Sequence, residues 1–153
     1  MQAYVDPRGP RFGAAVTTVV LAIVLVTGSG WLLAAQALVF AAGAIGGLRL
    51  APYGLLFRVL VRPRLAPPQQ LEAEAPPRFA QAVGLVFALV GTVGYLTGVT
   101  ALGVVATAFA LGAAFLNAAF DICLGCEVHL RLVRVLGRPV VRYVPKPRPQ
   151  SAS

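Results

Sequence analysis

Two long stretches of this chain, Phe12–Leu48 and Phe79–Phe120, contain no aspartate, glutamate, lysine, arginine or histidine. They run for 37 and 42 residues. A water-soluble bundle would need polar outer faces on these segments, and neither stretch has one. The lack of any ionisable group inside them also leaves a substrate path through a single protomer with little support. Acidic residues are scarce throughout, five against thirteen basic ones, and the chain holds one histidine and two cysteines. Any reactive chemistry therefore has few places to reside.

What is present is apolar: 58% hydrophobic residues and a mean hydropathy of +0.81 put the chain in the membrane class. About 20 residues at a rise of roughly 1.5 Å cross a hydrocarbon core of about 30 Å, so each stretch suits two crossings. Breaks are available at Thr27-Gly28-Ser29-Gly30 and around Leu96-Thr97-Gly98-Val99-Thr100. The sequence predicts an all-α membrane fold of four transmembrane helices in two hairpins, near Phe12–Val26, Trp31–Leu48, Phe79–Leu96 and Ala101–Phe120. The first is short if it starts at Phe12, and borrowing Arg11 and its neighbours would lengthen it.

Charge sets the expected orientation. Arg8 and Arg11 precede the first helix; Arg49, Arg58, Arg62, Arg64 and Arg78 lie between the hairpins. Arg131, Arg134, Arg138, Arg142, Lys146 and Arg148 follow the last helix, and the two intra-hairpin turns carry no charge. By the positive-inside rule both termini and the central segment face the cytoplasm. The net charge of +8 is spread along the flanks of apolar helices. Anionic inner-leaflet headgroups are its natural partner, and nucleic acid is not.

The chain reads as two half-repeats, about 10–64 and 77–138, with a polar linker over 65–76 and a Pro-rich basic tail over 139–153. Pro10-Arg11-Phe12 opens one half and Pro77-Arg78-Phe79 the other. Two crossings separate the halves, so a tandem duplication would be parallel rather than inverted. Convergence of two simple hairpins is the alternative. The closing segments, Tyr53–Arg62 and Cys126–Leu136, mix apolar and basic residues, and interfacial amphipathic helices are expected there. Small residues at Gly43, Gly47, Gly84, Gly91, Gly94 and Gly98 suggest helix-packing faces, within one protomer or in a homo-oligomer.

One place holds reactive side chains. Asp121-Ile122-Cys123-Leu124-Gly125-Cys126-Glu127-Val128-His129 contains both cysteines, the single histidine and two of the five carboxylates, with Asn117 one turn earlier. Three readings fit. Cys123 and Cys126 could exchange thiol for disulfide or handle persulfide sulfur, one attacking and the other resolving, with His129 as thiolate partner. A helix C-terminus is the wrong end to stabilise a thiolate, so this reading needs a break and a new helix starting near Cys123. Alternatively, Cys123, Cys126 and His129 could ligate a metal, a thin set for one protomer. In the third reading the cysteines are small packing residues. No cofactor-binding motif is read in the sequence.

Pro77-Arg78-Phe79 with its hairpin, and above all Phe120-Asp121-Ile122-Cys123-Leu124-Gly125-Cys126-Glu127, resemble a family of small bacterial membrane proteins designated domain of unknown function 4395. The likeness spans most of Pro7–Arg138. It implies a multi-pass protein of the bacterial cytoplasmic membrane, and a thioredoxin-like or sulfurtransferase protein as partner to the thiols. Three functions are carried forward from these features: a thiol or sulfur relay, a membrane scaffold or assembly subunit, and a small oligomeric transporter of a sulfur species or metal ion.

Overall fold

A computed structural model of the protein describes residues 3–145. Lys146, Arg148 and the rest of the expected tail lie outside the described residues. Six helices dominate: α1 (Arg8–Thr27), α2 (Gly30–Ile45), α3 (Pro52–Leu56), α4 (Ala75–Leu96), α5 (Thr100–Phe120) and α6 (Leu124–Val135). A π-helical turn, Phe57–Val61, extends α3, and a 3₁₀ turn follows at Arg62–Arg64. Three short strands, β1 (Tyr4–Val5), β2 (Gln70–Ala73) and β3 (Tyr143–Pro145), complete the chain.

Helices α1, α4 and α5 are long and apolar enough to cross a membrane; α2 is apolar but has 16 residues. The first helix does take in Arg11 and its neighbours, and the shortfall falls instead on the second, expected to run to Leu48. The first begins at Arg8 and takes Pro10 and Arg11 into its opening turns, where proline costs no hydrogen bond. The second stops at Ile45, because Gly46 and Gly47 follow and Gly47 turns the chain with φ +84°. At about 1.5 Å per residue α2 reaches roughly 24 Å.

The helices interlock across the halves. α2 lies along α4, α1 along α5, and α4 also packs on α5 and α6. Leu21 and Val24 of α1, Leu33, Ala37 and Phe40 of α2, Ala88 of α4 and Ala110 of α5 form the buried core. The outer faces are not polar. Val26, Trp31, Leu38 and Ile45 are each about three-quarters or more exposed, as expected of helices solvated by lipid tails. Small residues permit the closest approaches. A Cβ on Gly94 would lie 2.5 Å from the backbone nitrogen of Gly103, and one on Gly91 would lie 2.7 Å from the Leu33 side chain. Gly84 faces the Phe40 ring and Gly43 the Gln81 side chain, all inside the protomer, while Gly98 meets open space at a turn with φ +82°.

The two Pro-Arg-Phe arginines reach into opposite halves. Arg11 Nε donates to the Ala118 carbonyl near the end of α5 (3.1 Å). Arg78 Nε and Nη2 donate to the Ala44 and Ile45 carbonyls at the end of α2 (both 2.7 Å). Each satisfies carbonyls that a helix end leaves without a partner. Glu74 reinforces the second clasp by accepting from the Leu48 amide at 2.7 Å.

Part of the expected linker and part of the expected tail form a sheet instead. The order is β1-β2-β3, all antiparallel, with Tyr4 opposite Ala73 and Leu71 opposite Val144. This sheet sits where α1 and α4 begin and α2 and α5 end. It ties the segment before α1, the inter-hairpin segment and the segment after α6 to one end of the bundle. Asp6 and Arg8 form an ion pair at 3.0 Å there. Burial alone would raise the Asp6 carboxyl, but hydrogen bonds from Arg8 outweigh it and hold Asp6 below the usual range.

A candidate thiol site at the head of the sixth helix

The site is built by the way α5 stops. Asp121 takes a left-handed conformation (φ 59°). Its amide donates to the Asn117 carbonyl, and the Ile122 amide donates to Leu116. This paired arrangement closes a helix and reverses the chain, usually with glycine at the left-handed position and less often with a short polar residue. The backbone then enters α6 with Cys123 as its extended N-cap residue, φ −88° and ψ 98°. Cys123 Sγ accepts a hydrogen bond from the Cys126 amide at 3.3 Å. The thiol pair is therefore at the start of a helix, not at the end of one.

Cys123 and Cys126 are joined as a disulfide, with Cα atoms 5.1 Å apart. Cys126 is buried at 1% exposure and Cys123 is nearly so at 7%. Gly125 between them serves close packing: a Cβ there would meet the Ala80 Cα and Cβ of α4 at 2.6 Å. Only glycine lets the first turn of α6 rest directly on the α4 backbone.

His129 stands one turn beyond Cys126, and its ring packs on Phe79 with centroids 5.3 Å apart. Glu127 points to the sheet, where Arg142 joins it at 3.1 Å and also reaches Glu72 at 3.3 Å. Glu72 is 5% exposed. Burial pushes its carboxyl above the ordinary value, and the Arg142 hydrogen bond and charge pull against that rise. Arg142 thus fastens α6 to β2. Among the described residues, no group of three or more His, Cys, Asp or Glu side chains is placed to hold a metal ion. The metal reading of Cys123, Cys126 and His129 gains no ligand cluster.

The open side of Cys123 faces a cavity of about 310 Å³. Phe40, Phe87 and Phe109 form much of its apolar wall, and Asn117 lies on it beside Cys123. Thr17 and Gln81 also line it, and the sequence reading named neither as a site residue. Their signal was available: Gln36, Gln81 and Asn117 are the only side-chain amides in the two uncharged stretches. Gln36 is used elsewhere in the bundle, where its Oε1 accepts from the Tyr53 hydroxyl at 2.7 Å.

No curated protein and no solved structure matches this chain. The profile of the domain of unknown function 4395 (DUF4395) does match, over residues 5–134, a range that takes in the thiol pair and all six helices but for the last residue of α6. On that coverage the chain belongs to the DUF4395 family.

Proposed function

We propose that this protein is an integral membrane thiol–disulfide relay, with Cys123 as the attacking thiol and Cys126 as the resolving one. The observation that carries the reading is the helix-start geometry, in which the Cys126 amide donates to Cys123 Sγ. On reduction, the same amide and the positive end of α6 would stabilise a Cys123 thiolate. Cys126, more deeply buried, would close the bond again and release the partner. His129 is the candidate thiolate partner, one turn from Cys126, with Asn117, Asp121 and Glu127 as polar residues near the thiol pair.

In this reading the sheet end of the bundle faces the cytoplasm, and the uncharged turns at Gly28-Ser29 and Thr97–Val99 face outward. The protein partner is a thioredoxin-like or sulfurtransferase protein of the cytoplasm. The two halves derive from a parallel duplication in which only the second half carries thiols. The scaffold alternative is less favoured, because Gly43, Gly84, Gly91 and Gly94 make their close contacts inside the protomer.

Thiol trapping tests the relay. After treatment of the native membrane protein with dithiothreitol, alkylation should add two labels that the oxidised protein does not take. Cys126→Ser should accumulate a mixed disulfide through Cys123, identifiable by mass spectrometry, and Cys123→Ser should not. A pair that resists reduction, or a Cys126→Ser variant that captures nothing, ends the proposal.

A further inference from the structure

The cavity behind Cys123 has an unusual lining for a space between apolar helices. Most threonines of the long helices return their hydroxyl to the carbonyl one turn back, as Thr18, Thr27, Thr92, Thr97 and Thr107 do. Thr17 does not. It is 5% exposed and lines the cavity, and its hydroxyl makes no hydrogen bond among the described residues. Gln81 and Asn117 line the same cavity, and their side-chain amides have no hydrogen-bond partner among the described residues. Three polar residues on α1, α4 and α5 thus line one largely apolar space with their side-chain bonding capacity unused. In hydrocarbon an unmet polar group costs several kcal/mol by rough estimate. A lipid tail in the cavity would leave all three unmet.

A ligand that answers this lining is mostly apolar and carries ring oxygens that can bond with a hydroxyl and two amides. Phe87 and Phe109 stack with centroids 6.1 Å apart on the cavity wall, a surface suited to a flat conjugated ring. The volume of about 310 Å³ is at the small end of organic-ligand sites, roughly 300–1,000 Å³. Cys123, half of a two-electron couple, also lines the cavity. Although only 7% exposed, Cys123 is open to a small molecule held in this cavity.

We propose that this cavity takes the head group of a membrane-dissolved quinone, which exchanges two electrons and two protons with Cys123 and Cys126. Resting on the relay reading above, the inference names its electron acceptor. In the oxidising direction the Cys123 and Cys126 S–H bonds break and the S–S bond forms. The two electrons and two protons end on the quinone as quinol. Thr17, Gln81 and Asn117 bind and orient the ring oxygens.

The test uses the full-length protein in lipid nanodiscs, reduced and freed of reductant under anaerobic conditions. The probe is decylubiquinone, whose fully substituted ring cannot add a thiol. The expected result is loss of quinone absorbance with one quinol formed per disulfide. Thr17→Val and Gln81→Leu should raise the KM for the quinone at least fivefold, and leave oxidation of the pair by diamide unchanged. If diamide oxidises the pair but decylubiquinone does not, the quinone assignment falls and the relay survives. If the variants oxidise with decylubiquinone as the parent does, the cavity is not the site. If neither oxidant restores the disulfide, the relay itself falls.

Discussion

Each half of the molecule ends in a short helix laid against the opening turns of its own first apolar helix, yet the two are built differently. In the first half α3 begins at Pro52 with no side-chain cap, loosens into a π turn at Phe57–Val61 and ends in a 3₁₀ turn. Its Tyr53 meets α1 at Gly13, where a Cβ would stand an ordinary 3.7 Å from the Tyr53 Cβ. In the second half α6 is an unbroken α-helix capped by a cysteine sulfur, and Gly125 brings it within touching distance of the α4 backbone. A loosely seated helix tolerates change, whereas a tightly seated one can hold two sulfurs in a fixed relation. The same placement thus carries only packing residues in one half and a buried cysteine pair in the other, because sites belong to the residues set on a fold and not to the fold itself.

The sharpest way to break this contrast is an added methyl group. Gly125→Ala forces a contact of 2.6 Å against Ala80 and should cost about 2–3 kcal/mol, within the range for overpacking. The equivalent Gly13→Ala should be near neutral. Thermal unfolding in detergent measures both, and equal effects would erase the distinction. Gly125→Ala should also slow re-formation of the Cys123–Cys126 bond after reduction.

A smaller effect is expected at Arg142, which fastens α6 and has no counterpart in the first half. Arg142→Ala leaves Glu72 buried without its cation, at a cost of about 2 kcal/mol for an unmet buried acceptor. The pH dependence follows from the raised Glu72 carboxyl. A group whose folded pKa exceeds its unfolded value favours the fold at low pH, and that contribution is lost as pH rises through the folded value. The Arg142→Ala penalty should therefore shrink toward acid pH, where Glu72 is protonated, and be largest at neutral pH. Denaturation midpoints across pH 4–8, roughly the range spanned by carboxylate titration and neutrality, report it. A penalty independent of pH would mean that Arg142 acts through packing alone.

The smallest difference concerns the two clasps. Arg78 makes two bonds at 2.7 Å and Arg11 one at 3.1 Å. Arg78→Ala should lose about 1 kcal/mol more than Arg11→Ala, the worth of one net hydrogen bond. Unfolding of the two variants side by side measures it, and a larger loss at Arg11 would reverse the ranking.

Much of this was legible in the sequence because the bilayer imposes a coarse rule: uncharged runs end where arginines begin. The turns at Gly28 and Gly98 and the clustering of both cysteines with His129 were equally open to view. The sheet was not. Gln70-Leu71-Glu72-Ala73 alternates polar and apolar residues, but it is only four residues long, has no β-branched residue, and its partners lie about 70 positions away at Tyr4–Val5 and Tyr143–Pro145. The helix break ahead of Cys123 was also hidden, since it depends on Asp121 accepting a left-handed turn that glycine more often supplies. The thiol pair could be found from spacing, while its chemical setting depended on backbone geometry. Thr17 and Gln81 could be assigned to the cavity only after α1 and α4 had been brought together.

The crossed arginines bear on how the chain is assembled. Since Arg11 bonds a carbonyl at the end of α5 and Arg78 two at the end of α2, each pair of long helices depends on the other for part of its capping. The Ala44 and Ile45 carbonyls at the end of α2 lack this partner until Arg78 has been synthesised. Two separately expressed halves should accordingly mature only when they meet.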